Sequence, residues 1–413
     1  MANETRNTPT DKLQEMDRQT PTDEMLAHAA RQSRDKGLDD VLVIDVDAHH
    51  FETSSWAQVV EYIEDPVWRH IAKSFERPDG SNPGALTNYQ PGYNYQNVAG
   101  RIPHSGGLRG EVIDDKTVHR DVVLARRSMD ALSIDYQVIF PTPMLGLGLH
   151  PSGEQEVALA FAYNRWLTQE VLPGDDRLTT LIYLPFNDPE ASLRTVEEFA
   201  GNPGVAGFNV TSVRYKPVHH NQYMKVYAAI EESGLPLGFH AGPTWDDQWM
   251  RQIDRFIGVH ALSFVLCNMV HLTNWVLHGL PERFPNMPVV WIESGLAWIP
   301  FMMQRLDNEY LMRSSEAPLL KKLPSDYIRD MFFTSQPIEA HNPALLESTL
   351  VAMNAGTQLL YASDWPHWDF DSPSSIWDIP CLTEQEKRNI LGGNANRIFK
   401  LAPEGATRKQ AAE

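Results

Sequence analysis

Eight short apolar runs, separated by stretches of helical periodicity, constrain this chain more than any other feature. They are VLVIDVDAH (41–49), YQVIFPT (136–142), LTTLIYLP (178–185), GVAGFNVTS (204–212), LPLGFHAG (235–242), MPVVWIES (287–294), MFFTSQ (331–336) and QLLYASDW (358–365). Near-continuous hydrophobicity with many β-branched residues suits strands covered on both faces, as in a parallel sheet. Helical patterns lie between them at 154–172, 189–201, 224–234 and 300–312. Near the C-terminus Thr383, with Glu386 three residues on, predicts a capping box. Eight strands alternating with helices predict an α/β fold, a (β/α)8 or TIM barrel with insertions. The competitor is a doubly wound open sheet. It needs a phosphate-binding glycine turn, and the sequence has no G-x-G-x-x-G or Walker motif.

The flanks read differently. Residues 1–39 are polar and mixed in charge, with weak helical patterning from Glu24 to Arg34, and read as a mobile or loosely docked extension. Residues 40–402 hold the barrel and 403–413 a short tail. The interval 53–125 is a long insertion after the first strand, with three tyrosines in NYQPGYNYQNVAG (88–100) followed by IPHSGGLRGE (102–111). Loops of that length serve as lids or binding elements; a surface excursion or dimer contact is the plainer alternative.

Charge narrows the functional classes. The 413 residues carry 35 Lys and Arg against 54 Asp and Glu, a net charge of −19. That balance argues against nucleic acid and against an anionic membrane surface as partners. No run approaches about 20 uninterrupted apolar residues, so no membrane-spanning helix is expected. The polar N-terminus lacks the apolar core of a secretory leader. Cys267 and Cys381 are too few for a disulfide framework and suit a reducing cytoplasm.

Several strands end in metal-ligand types, at the end of a barrel where active sites lie. Strand 1 ends Asp45-Val46-Asp47-Ala48-His49-His50, and strict alternation puts Asp45, Asp47 and His49 on one face. A metal at the rim fits Asp47 and His49 together. Strand 5 ends in His240, strand 6 in Glu293 and strand 8 in Asp364. Taken singly, His240 reads equally as a core or capping histidine, and each carboxylate as half of a salt bridge. A glutamate after an apolar run needs an arginine or a metal as its partner. Together the four strand ends offer oxygen and imidazole ligands without cysteine, a set that suits one or two divalent ions, Zn²⁺, Mn²⁺ or Fe²⁺.

At these residues the chain resembles the amidohydrolase superfamily, in its amidohydrolase-related branch. The resemblance is carried by VIDVDAHHFE, FHAG, LPERFPNMPVVWIESGLAWIPFMMQRLD, SDWPHWDFDSP and the closing ILGGNANRIFKL, with AYNRWL and DRLTTLIYLPFNDPEAS in support. It covers about residues 40–402 and implies a distorted TIM barrel with one or two divalent metals, often in a homodimer. Asp47 and His49 stand as a D-x-H variant of the usual H-x-H. His240 matches the strand 5 ligand, and Asp364 the strand 8 aspartate that holds metal and takes a proton from water. Two positions depart from the pattern. Glu293 replaces the usual strand 6 histidine, as a metal ligand, a catalytic group or an outer support. Strand 4 carries Asn209 and no lysine, so a carboxylated-lysine bridge is not expected.

Other candidates lie around this set. His260 and His271 are eleven apart, three helical turns, so one helix face carries both. His271 is the candidate acid or base, with core packing as the alternative. His367, Trp298 and Trp365 are candidates for substrate contact, beside Trp291 and Trp368. Arg101, Arg109 and Arg214 are candidates for meeting a substrate carboxylate.

Two reactions fit a small organic substrate. In the first, metal-activated water attacks an ester, thioester or amide carbonyl, with Asp364 moving the proton. In the second, a metal-dependent nonoxidative decarboxylase acts on an aromatic or muconate-like acid. The hydrolase stands first, because Glu293 replaces the histidine that decarboxylases of the aminocarboxymuconate-semialdehyde type use. A barrel with a purely binding role is the third reading, and the intact ligands at four strand ends weigh against it.

Overall fold

In the computed structural model the described residues are 21–82, 111–211, 216–244, 247 and 249–403. The tyrosine-rich segment 88–100, Arg101, Arg109 and Arg214 lie outside them. All eight expected strands are present: β1 (Ile44–His50), β2 (Tyr136–Pro141), β3 (Leu178–Tyr183), β4 (Val205–Val210), β5 (Leu237–His240), β6 (Val289–Ile292), β7 (Phe332–Thr334) and β8 (Leu359–Leu360). They pair in parallel in chain order, β1 through β8, in one eight-stranded sheet. The seam between β8 and β1 is closed by single hydrogen bonds: Val46 N to Tyr361 O (3.0 Å), Asp364 N to Asp47 O (2.7 Å) and His49 N to Trp365 O (2.7 Å). This is the TIM barrel that the alternation of elements predicts.

Helix α1 (Thr22–Asp35) precedes the barrel and buries Met25 and Ala29. The insertion after β1 begins with two short helices, α2 (Trp56–Glu61) and α3 (Pro66–Ser74). The barrel's outer layer consists of α4 (Arg120–Leu132), on which α1 packs, α5 (Gly153–Trp166), α6 (Pro189–Phe199), α7 (Met224–Ser233), α8 (Phe256–Leu277), α9 (Trp298–Arg313) and α10 (Pro343–Ala352). Local chemistry sets many of their ends. Asp188 caps α6 by accepting from Glu190 N and Ala191 N, with Pro189 at the first helical position. The Thr383–Glu386 capping box forms as expected at the start of α11 (Glu384–Arg388). A π-turn leads from α11 into α12 (Asn394–Phe399).

Inside the barrel Val138, Phe140, Leu181, Val290, Ile292, Leu360 and Ala362 form a core separate from the larger one between sheet and helices. Two glycines make room for it. A Cβ on Gly238 would stand 2.8 Å from Leu181 and 3.0 Å from Ile292. A Cβ on Gly392 would stand 2.4 Å from the Leu42 carbonyl, so the closing helical segment needs glycine to reach the base of β1.

Helix α8 is long and apolar enough to cross a membrane by length and composition alone, and polar residues interrupt its apolar run, as the sequence shows. Here it packs on the barrel, and Asn268 on its buried face donates to Ile292 O and Ser294 Oγ.

Candidate metal centre

The centre begins with an irregularity in β1. Asp45 pairs with Gln137, whereas Ala48 pairs with Ile139 and His49 with Phe140. Three steps along β1 therefore match two along β2, which is a β-bulge. Gln137 and Phe140 are three apart and face opposite sides of the sheet, so Asp45 and His49 do too. The expectation that Asp45, Asp47 and His49 share one face is corrected by that extra residue. Asp47 and His49 turn into the barrel, and Asp45 turns out behind it.

Inside, ligand types from four strand ends converge. The His49 Nε2 lies 3.3 Å from Asp47 Oδ1, 3.2 Å from Asp364 Oδ1, 3.4 Å from His240 Nε2 and 3.9 Å from Glu293 Oε2. The His240 Nε2 lies 3.2 Å from Asp47 Oδ1 and 3.4 Å from Glu293 Oε2. Asp47, His49, His240 and Glu293 form one possible ligand group, and His49, Asp364 and His367 an adjoining one. All are buried.

The donor chemistry fits a cation. His49 Nδ1 faces the Pro141 carbonyl at 3.1 Å and His240 Nδ1 the Ala241 carbonyl at 2.8 Å. Carbonyls only accept, so both Nδ1 atoms carry hydrogen, which leaves each Nε2 as the ring's ligand atom. The two Nε2 atoms, 3.4 Å apart, need a positive charge between them, a proton or a metal ion. Metal bonds of about 2.1 Å place neighbouring ligands about 3.0–3.4 Å apart, matching these separations except the 3.9 Å between His49 and Glu293. Asp47 Oδ2, Asp364 Oδ2 and Glu293 Oε2 are buried with no hydrogen-bond partner among the described residues.

Electrostatics points the same way. Burial works against charge on His49, yet Asp364 and Asp47 raise its imidazolium to about 10. A place that attracts a proton so strongly also attracts a divalent cation. Burial likewise opposes ionisation of Asp47 and Asp364, but the neighbouring histidines hold both below the usual carboxylate range. Glu293 goes the other way. Burial, then the charges of Asp364, Asp47 and Asp369, push it well above.

Glu293 and Asp364 both lie just beyond their strands in left-handed backbone, with φ of 50° and 57°. Non-glycine residues rarely adopt that conformation. At Glu293 it is held by the backbone N–H donating to Thr334 Oγ1 of β7 at 3.0 Å.

The structure sorts the remaining candidates. His367 joins the centre: its Nδ1 lies 2.7 Å from Asp364 Oδ1, its Nε2 lies 3.2 Å from Thr142 Oγ1, and its ring is 4.2 Å from that of His49. Trp365 takes part through its carbonyl, which accepts from His49 N, while its ring packs edge-on against Phe370. Trp298 is not brought to the centre. Its indole N–H donates to Gly295 O and its ring meets Phe333 edge-on. Nor is His271. It lies between α8 and the outer face of β5, against Phe239, with Nε2 3.4 Å from Cys267 Sγ. Trp291 stacks on that same Phe239. Of the two histidines on α8, His260 comes nearer, with Nε2 3.9 Å from Asp369 Oδ2 and its ring beside Trp368. Sequence reasoning missed Asp369, a half-buried carboxyl raised by burial and by Asp364. Its signal was the second acid of the SDWPHWDFD run.

Comparisons with known proteins agree with this architecture. A family model described as amidohydrolase matches residues 44–401. Gamma-resorcylate decarboxylase of Rhizobium sp. (strain MTP-10005) is 22% identical over 261 residues, 61% of this chain and 79% of the relative. The protein of that name from Rhodococcus jostii (strain RHA1) is 21% identical over 264 residues, with the same coverage of 61% and 79%. Among solved structures, 5-carboxyvanillate decarboxylase from Sphingomonas paucimobilis superposes with a TM-score of 0.60 at 21% identity, over 88% of this chain and 100% of that one. A dihydroxybenzoic acid decarboxylase from Polaromonas sp. JS666, with bound manganese and the inhibitor 2-nitroresorcinol, gives 0.60 at 18% identity, over 88% and 98%.

Proposed function

The chain belongs to the amidohydrolase family, and from that premise we propose that it is a metal-dependent nonoxidative decarboxylase of a hydroxylated aromatic carboxylic acid. The observation that carries the reading is the buried cluster of Asp47, His49, His240, Glu293 and Asp364, in a chain whose curated relatives are decarboxylases. The hydrolase, which stood first on the sequence, becomes the second reading. Its ground was Glu293 in the place of a histidine. Against it, β4 presents Asn209 where a bridging lysine would favour a two-metal hydrolase.

Asp47, His49, His240 and Asp364 would hold the ion, with Glu293 alongside, and manganese is the metal a structural neighbour binds. Such an ion, when bound, supplies Lewis-acid polarisation and a template for a carboxylate and its neighbouring oxygen. The rest falls to the chain. Decarboxylation needs a proton at the ring carbon that bears the carboxylate. As the carbon–carbon bond breaks, its electron pair returns to the ring and CO2 leaves, so one proton is consumed per carboxylate. The His367–Asp364 pair is the route by which it would arrive. The Asp364 carboxylate, ionised at rest, takes a proton from His367, whose Nδ1 lies 2.7 Å from its Oδ1, and passes it to the ring carbon. His367 is reprotonated from solvent. Burial of the cluster keeps water from competing.

The test is CO2 release by the manganese-loaded enzyme from a panel of hydroxybenzoates that includes 2,6-dihydroxybenzoate and 5-carboxyvanillate. Release from at least one is expected, and Asp364→Asn lowers it by about 10²-fold or more. No release from any member, together with turnover of an ester or amide panel, gives the hydrolase its place.

Two further readings accompany this one. A homodimer is supported by the outward face of α8, where Ile257, Leu262 and Val270 are 74%, 43% and 56% exposed. That helix carries no Asp, Glu, Lys or Arg. A reducing, cytoplasmic location is supported by Cys267 and Cys381, neither of which is in a disulfide among the described residues.

A further inference from the structure

We propose that Asp45 is a positioning residue: from outside the barrel it holds the bulge of β1 and the end of β8 in one register, and so sets the spacing of the metal ligands. The inference rests on the metal reading above. Asp45 touches none of the ligand atoms described. Its carboxylate gathers four donors from three strand segments. Oδ1 accepts from Ser363 N at 2.8 Å and from Asp47 N at 3.2 Å. Oδ2 accepts from Ser363 Oγ at 2.6 Å and from Gln137 Nε2 at 3.0 Å. Ser363 Oγ in turn accepts from Trp365 N at 3.0 Å.

The placement explains why a carboxylate is needed here. β8 is two residues long and meets β1 only through three backbone hydrogen bonds and one isolated bridge at Ala48 and Trp365, a thinner pairing than the other seven strand pairs have. Asp47 and His49 come from one side of that seam and Asp364 from the other. Asp47 N belongs to the bulge that turns Asp47 inward, and Ser363 N immediately precedes Asp364, whose left-handed backbone needs support. One buried side chain thus binds the backbone at a ligand on β1 and beside a ligand on β8. All four contacts are donors, which an acceptor-only carboxylate satisfies and an amide does not. Asn at this position would turn an NH2 group either toward Ser363 N and Asp47 N or toward Ser363 Oγ and Gln137 Nε2.

Outer supports of this kind tune metal affinity by about 10–100-fold. The experiment titrates manganese by calorimetry into metal-stripped, full-length wild type and Asp45→Asn, with thermal unfolding of the metal-free proteins alongside. The expected result is a manganese Kd raised at least tenfold in the variant, with the metal-free Tm nearly unchanged. A lowered Tm with the wild-type Kd would overturn the inference and leave Asp45 an ordinary structural residue, while the metal reading stands. Absence of manganese binding by wild type would overturn the metal reading, and this inference with it. Should Asp45→Asn fail to fold, Ser363→Ala removes one donor and one acceptor from the same chain of contacts. A raised Kd there supports the proposal, and an unchanged Kd overturns it.

Discussion

His240 and Asp364 were readable as candidates because each ends an apolar run, where an unpaired polar group is costly. Glu293 was readable for the same reason, and its role is where a measurement decides most. Its Oε2 stands 3.4 Å from His240 Nε2, close enough to complete a single-ion site. Wild type is expected to hold one equivalent of manganese by mass spectrometry. Glu293→Gln should then need at least tenfold more metal for half-saturation. Two equivalents in wild type would instead favour a binuclear hydrolase. Besides Asp45 on β1, the residues that sequence reading misplaced were aromatic or imidazole side chains on helices. His271 and Trp298 are bulky and apolar enough to serve the core, and which face of a helix meets the site depends on its packing angle, not its spacing. His271 lies behind Phe239, whose ring belongs to the outer core.

Among elements, β1 holds the clearest difference between pattern and fold. Alternation is a sound rule for a regular strand, but one inserted residue reverses it, and nothing in VLVIDVDAHH marks where the bulge falls. Helix α5 permits a quantitative test of buried charge. Glu156 accepts from Asn187 Nδ2 at 2.9 Å, and its Oε1 has no partner among the described residues. Burial raises its carboxyl from 4.5 to about 7. The folded protein therefore binds this proton more tightly than the unfolded chain. The associated stability is present below pH 4.5 and is lost as pH rises through about 7. The loss amounts to roughly 3 kcal/mol, since each tenfold gain in proton affinity is worth about 1.4 kcal/mol. Glu156→Gln should remove it, so that urea unfolding at pH 5 and pH 8 differs less in the variant than in wild type. Parallel pH dependence in the two proteins would refute the assignment.

At the scale of the whole molecule, the uncharged outer face of α8 contrasts with a net charge of −19. Like-charged molecules associate most readily through a surface that carries no charge, and a two-fold dimer needs one self-complementary patch. Sedimentation velocity at tens of micromolar should show a dimer, and Ile257→Lys with Val270→Lys should give a monomer. A monomeric wild type would remove the dimer from the proposal. The sequence by itself determined the eight-fold alternation of strand and helix, the capping box at Thr383, and the ligand types at the ends of β1, β5, β6 and β8. These depend on local periodicity and on the cost of polar groups beside apolar runs, and both are legible along one dimension. Only the tertiary structure decided that Asp45 faces away from His49, that His271 stays outside the barrel, and that Asp369 stands beside the centre. Each of those turns on register and packing between segments far apart in the chain, where a shift of one residue exchanges the inside of the sheet for the outside.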